Sequence, residues 1–126
     1  MTQYVDTNIL VRLMTNDVPN LAEEVIKQIN KGRSGELVII DAVLVELFFV
    51  LEMNPQYKLP REKIALIFNG ILSIPQFKLS ESSITAFKLY ASNEKLDFTD
   101  CLLATLGNNK KGHVMTFDKD LQEILS

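Results

Sequence analysis

Five carboxylates border or interrupt the apolar segments of this 126-residue chain: Asp6, Glu46, Asp97, Asp100 and Asp118. Asp6 follows Gln3-Tyr4-Val5, and Glu46 breaks the run from Val43 to Phe48. Asp97 and Asp100 bracket Phe98-Thr99, and Asp118 closes Val114-Met115-Thr116-Phe117. Segments so apolar are expected to hold their acids near a core, where uncompensated charge is costly. A hard divalent cation compensates most directly, because Mg²⁺ and Mn²⁺ prefer oxygen ligands and keep exchangeable waters. The pattern therefore points to an acidic metal site.

Positioning five acids is the task of the surrounding elements. Residues 2–5 read as a short buried strand, and residues 7–14 as a helix with Ile9, Leu10, Leu13 and Met14 at helical spacing. Asn20 is the expected cap of a second helix ending at Lys31-Gly32, carried by Leu21, Val25, Ile26 and Ile29. Residues 37–40 form a continuous apolar strand of the kind covered on both faces in a parallel sheet. Asp41 is then the expected cap of a helix to about Met53, broken by Asn54-Pro55. A helix follows from Pro60 to about Asn69-Gly70, then a short strand at 77–79, and a helix from a Ser80 cap to about Ser92. Asp97 or Phe98 opens the next helix, which ends near 107–109. Residues 114–116 read as the last strand and 119–125 as a closing helix. Strands alternate with helices and no tight hairpin intervenes, so the expected class is α/β: a three-layer α/β/α sandwich around a parallel sheet of four to five strands. In such sheets, sites gather beyond the carboxyl ends of the strands. Asp6, Asp41 and residues 116–118 follow strands, while Asp97 and Asp100 share one face at a helix start.

Composition sets the outer limits. The length fits one domain over residues 1–126, and an apolar fraction of 47% with 23% charged residues is that of a globular protein. A single cysteine, Cys101, rules out an internal disulfide framework and fits a reducing cytosol. The apolar run over 42–51 is interrupted by Glu46 and is far shorter than a membrane span of roughly 20 residues. No basic segment followed by an apolar stretch opens the chain, so no signal peptide is expected. The net charge of −3 runs against the basic footprint of most nucleic-acid binders. Without the five candidate acids the balance is +2, leaving Arg12, Lys58, Arg61, Lys63, Lys110, Lys111 and Lys119 to face a polyanion.

Each acid also has an ordinary structural explanation. Asp6, Asp97 and Asp118 are good helix caps, and a solvent-facing strip is the alternative for Glu46. His113 reads as a surface residue, and Cys101 as core, with no histidine placed to activate it. Taken together, however, these explanations require several independent caps and a glutamate in an apolar helix.

Four segments in order resemble the successive motifs of PIN-domain ribonucleases: Val5-Asp6-Thr7-Asn8-Ile9-Leu10, Val45-Glu46-Leu47, Asp97-Phe98-Thr99-Asp100-Cys101-Leu102-Leu103-Ala104 and Thr116-Phe117-Asp118-Lys119-Asp120. Size and the lack of a fused domain are most similar to VapC-type toxins of toxin–antitoxin pairs. The resemblance implies that Asp6, Glu46 and Asp100 bind metal, with Asp118 as the fourth acid and Asp97 as an additional one. Thr7, Asn8 and Thr116 would orient ligands or touch substrate. It further implies Mg²⁺- or Mn²⁺-dependent endonucleolytic cleavage of RNA, often tRNA, a cytoplasmic location, homodimers, and silencing by an antitoxin that inserts a peptide into the active-site groove. Two departures stand out: the chain stops at Ser126, where many relatives add an edge strand, and Asp41 stands where relatives commonly carry Ser or Thr.

Rival chemistries fit less well. A haloacid-dehalogenase-like phosphatase with Asp6 as nucleophile needs a second aspartate two residues later, where Asn8 stands. A phosphorylated receiver domain needs an acidic pair near the first strand and a lysine near the last. The remaining alternative is a PIN-like module that binds RNA or protein with little or no catalysis.

Overall fold

A computed structural model of the chain describes residues 1–108 and 112–125. Lys110 and Lys111, counted among the cations above, lie outside the described residues, as do Asn109 and Ser126. The described residues form an α/β fold with three strands and seven helices. The chain divides into two compact units, Met1–Leu79 and Ser80–Ser126.

The first unit contains the sheet. Strands β1 (Gln3–Tyr4), β2 (Leu37–Val38) and β3 (Phe77–Lys78) lie parallel in the order β1-β2-β3. Gln3 pairs with Leu37 and Leu37 with Phe77. The strands are shorter than the apolar runs suggest, but the ladder continues past them: Val5 N–H donates to Val38 O and Ile39 N–H to Lys78 O, at 2.9 and 3.0 Å. Helices α1 (Thr7–Thr15) and α2 (Pro19–Lys31) separate β1 from β2, and α3 (Asp41–Met53) and α4 (Arg61–Leu72) separate β2 from β3. The crossovers are helical, as parallel pairing requires.

Two helix starts differ from the sequence expectation. Helix α2 begins at Pro19, with Val18 as its cap residue rather than Asn20. Proline at the first helical position lacks an N–H that no partner would have satisfied, and its fixed φ suits the helix. Helix α3 begins at Asp41 itself, with Ile40 in the cap position, so Asp41 lies in the first turn, where its charge meets the positive end of the helix dipole. The core joins Leu10, Val11 and Met14 of α1 to Val25 and Ile29 of α2, Leu44, Leu47, Phe48 and Leu51 of α3, and Ile64, Phe68 and Ile71 of α4. The Phe48 and Phe68 rings meet at 5.1 Å, a tilted aromatic pair contributing about 1 kcal/mol beyond the area it buries.

The second unit is helical: α5 (Glu81–Ser92), α6 (Phe98–Gly107) and α7 (Lys119–Leu125). Ser80 caps α5 by accepting the Ser83 N–H at 3.0 Å, as its position suggests. Tyr90 is fully buried and packs between Phe87 and Phe98. Cys101 is buried and His113 exposed. Residues 112–118 take no regular secondary structure, so the strand expected over 114–116, and with it a sheet of four to five strands, is not formed among the described residues. Local hydrogen bonding explains the difference: Thr116 Oγ1 accepts the Asp118 N–H, and Thr116 O accepts from Gln122 Nε2. These bonds fold the segment into the entry turn of α7 instead of leaving it extended. Among the described residues no helix is long and apolar enough to cross a membrane.

Candidate active site

In the first unit, Asp6 follows β1 and caps α1. Its Oδ1 accepts the Thr7 N–H at 2.7 Å, and its carbonyl accepts the Ile9 N–H. Parallel pairing thus delivers Asp6 to the carboxyl end of the sheet, and the helix dipole favours its charge there. Asn8 is exposed and Thr7 buried. Asp41 occupies the corresponding place after β2.

Glu46 sits about a turn and a half into α3 and is exposed. It shares its face with Ala42, Phe49 and Met53, all exposed, while Leu44, Leu47, Phe48 and Leu51 point into the core. The expectation that the acids would be held near the core is corrected here. Asp6, Glu46, Asp97 and Asp118 are exposed, and only Asp100 is half-buried. Helix ends and solvent-facing stripes let apolar segments carry acids without burying them.

In the second unit the structure brings three acids together. Asp97 caps α6, its Oδ1 accepting the Asp100 N–H at 2.8 Å, so its carboxylate stands over the first turn that carries Asp100. Asp118 caps α7 in the same manner, its Oδ1 accepting the Leu121 N–H at 2.9 Å. Burial, and then the charges of Asp97 and Asp118, push the Asp100 carboxyl above its ordinary value. Thr116 contributes its hydroxyl to this turn as acceptor for Asp118 N–H. The capping explanations for Asp6, Asp97 and Asp118 are therefore correct, and they do not compete with a site: a cap occupies one carboxylate oxygen and leaves the other available.

In donor chemistry this set fits a hard cation. All candidate ligands are carboxylates, and the repulsion that raises Asp100 is relieved by positive charge placed among Asp97, Asp100 and Asp118. Among the described residues no three His, Cys, Asp or Glu side chains are already gathered as a coordination group.

Of the cations expected to face a polyanion, Arg12 is committed elsewhere. Its guanidinium binds both oxygens of Asp17 at 3.0 and 2.9 Å. Asp17 also accepts from Thr15 at 3.0 Å, Gln56 at 3.3 Å and the Tyr57 hydroxyl at 2.7 Å. Tyr57 chiefly, with Thr15 and Arg12, holds the Asp17 carboxyl below its usual value, and Asp17 in turn raises the Tyr57 phenol. Reading the sequence gives only a turn at Asn16-Asp17-Val18-Pro19, because the partner tyrosine lies 40 residues away.

No curated protein and no solved structure matches the chain. Nucleases are common among PIN domains and generally use Mg²⁺ or Mn²⁺. The model of that family, described as PIN domain, matches residues 3–124 and so runs through both units and every acid named above; the chain belongs to the PIN domain family.

Proposed function

We propose that the chain is a Mg²⁺- or Mn²⁺-dependent endoribonuclease and the toxin of a type II toxin–antitoxin pair. The observation that carries the nuclease reading is that Asp97 and Asp118, each fixed as a helix cap, stand close enough for their charges to act on Asp100, in a family where nucleases are common. Asp6, Glu46, Asp100 and Asp118 would hold the ion, which when bound neutralises phosphate charge and makes a coordinated water more acidic. Asp97 holds the first turn of α6 through the Asp100 N–H and so fixes the direction from which Asp100 approaches. Asp97 or Glu46 takes the proton from the attacking water as general base. The water oxygen bonds to phosphorus, the P–O3′ bond breaks, and the 3′-oxygen leaves as an alkoxide that takes a proton from solvent, giving 5′-phosphate and 3′-hydroxyl ends. Thr7, Asn8 and Thr116 orient ligands or substrate.

The toxin assignment rests on the order of the four motifs along the chain. With it go a cytosolic location, a homodimer, a structured RNA substrate such as tRNA, and an antitoxin whose peptide covers the acids. The test is cleavage of end-labelled total tRNA by purified protein with Mn²⁺, beside an EDTA control and Asp100→Asn. Metal-dependent cutting that disappears in the variant supports the reading. A folded protein that binds Mn²⁺ and RNA but cuts nothing would instead indicate a binding module.

A further inference from the structure

The first unit holds a cavity of about 270 Å³ lined by Met14, Thr15, Asp17, Gln56, Tyr57, Leu59, Lys63 and Ile67, none of them among the five candidate acids. Met14, Leu59 and Ile67 give it apolar lining, and Thr15, Asp17, Gln56, Tyr57 and Lys63 polar lining. Ligand pockets run from about 300 to 1,000 Å³, so this one suits a single flat ring rather than a whole nucleotide. Asp17 does not make it acidic, because Arg12 neutralises that carboxylate through two short bonds. The Tyr57 hydroxyl is tied to Asp17, which fixes the ring at the cavity wall. The charge left in the lining is the positive charge of Lys63.

That positive charge belongs to the turn between α3 and α4, where Lys58 and Lys63 stand within six residues with Glu62 between them. Lys58 and Lys63 are exposed, and neither has an ion-pair partner among the described residues. Lys63 shares the first turn of α4 with Glu62, at the helix end where the dipole disfavours cations. Lys58 is held at φ 39°, which a non-glycine residue adopts only against steric cost.

We propose that the cavity and this turn form an accessory RNA subsite, in which one base of a single strand enters the cavity beside Tyr57 and its flanking phosphates rest on Lys58 and Lys63. Aromatic and apolar surfaces accept any base face, and lysines bind the backbone without reading sequence, so the subsite anchors the strand. Helix α1 sets the spacing. Its nine residues span about 13 Å from the Asp6 cap to Met14 and Thr15 at the cavity, a distance of a few nucleotides. This inference rests on the nuclease reading, and it adds where the substrate is held.

The test measures binding separately from cutting. A fluorescent, unstructured 20-nucleotide RNA is titrated with full-length protein in EDTA at several salt concentrations, for wild type and Lys58→Ala/Lys63→Ala. The double variant is expected to weaken binding roughly tenfold at low salt and to lower the slope of log K against log salt by about 1.4. A 4-thiouridine in the same RNA is expected to crosslink to the Gln56–Lys63 segment. Unchanged slope and affinity in a folded double variant overturn the subsite while leaving the nuclease reading intact. Loss of dimer in sedimentation with unchanged RNA affinity also overturns it, assigning the patch to a second copy of the chain. If wild type neither binds nor cuts RNA, the nuclease reading itself fails.

Discussion

Asp97 has two separable roles, and a pair of substitutions divides them. As the cap of α6 it accepts the Asp100 N–H at 2.8 Å, and as a charge it helps raise the Asp100 carboxyl. Asn caps a helix about as well as Asp, whereas Ala loses the cap at a cost of about 1 kcal/mol. For a domain of this size that loss lowers Tm by about 4 °C. Asp97→Asn should therefore keep the thermal midpoint and Asp97→Ala should not. Both remove a negative charge beside Asp100, so both should lower its carboxyl pKa toward the ordinary value. The sign of the pH effect follows. A carboxyl whose folded pKa lies above its unfolded value binds more protons in the folded state, so its contribution to stability falls as pH rises from the unfolded toward the folded value. That fall should be shallower in Asp97→Asn. Circular-dichroism melts give the midpoints, and ¹³C NMR titration of the Asp100 carboxyl gives the shift. An Asp100 titration that does not move in Asp97→Asn refutes the electrostatic argument, whatever the melts show. Equal midpoints for Asn and Ala refute the capping argument.

Three further outcomes are expected. At Gly107 a Cβ would stand 2.6 Å from Val114 Cγ2 and 2.8 Å from Leu125 Cδ2, and valine turns stiffly about χ1. Overpacking of about 1–3 kcal/mol then outweighs a helix-propensity gain of up to about 1 kcal/mol, so Gly107→Ala should lower Tm; a higher Tm would contradict the close packing. Asp17→Asn should destabilise the protein at neutral pH, and its difference from wild type should shrink as acid carries Asp17 through its lowered folded pKa; this is read from urea midpoints across pH, and a constant difference would exclude the ionised network. Mn²⁺ at ten times its Kd should stabilise wild type by about 1.4 kcal/mol and stabilise Asp100→Asn much less, in a thermal-shift titration; equal shifts would remove Asp100 from the ligand set.

What could be read from the sequence follows how far each determining contact reaches. The starts of α5 and α6 depend on Ser80 and Asp97 bonding an N–H three residues on, and both are visible as local patterns. The start of α2 is equally local, but two signals compete there, and Pro19 prevails over Asn20 because it fixes φ outright. The region from Val114 to Asp118 shows the limit of pattern reading. Its apolar residues suggest a strand, yet Met115 and Phe117 are exposed, and a hydroxyl and an amide bind the backbone into a turn. Helix α3 is apolar almost all round, so periodicity cannot say which face Glu46 occupies; the exposed stripe of Ala42, Glu46, Phe49 and Met53 emerges only once the opposite face is packed.

The same distinction bears on the acids. Asp97 and Asp100 could be paired from spacing alone, but the addition of Asp118 depends on a turn formed by Thr116 and Gln122, which no periodicity encodes. Capping and ligation were alternatives only while each residue was considered singly. In the folded second unit the caps aim Asp97 and Asp118 so that their charges fall on Asp100. A cap at a helix start already fixes a carboxylate's direction with one N–H, so the rigidity that a metal ligand requires comes from a bond the helix needs in any case. On this argument the capping oxygen is the orienting contact and the second oxygen the functional one. Replacing Asp118 by Asn should then retain the α7 cap and the fold while weakening Mn²⁺ binding in calorimetry. Unchanged Mn²⁺ affinity would leave Asp118 a cap alone.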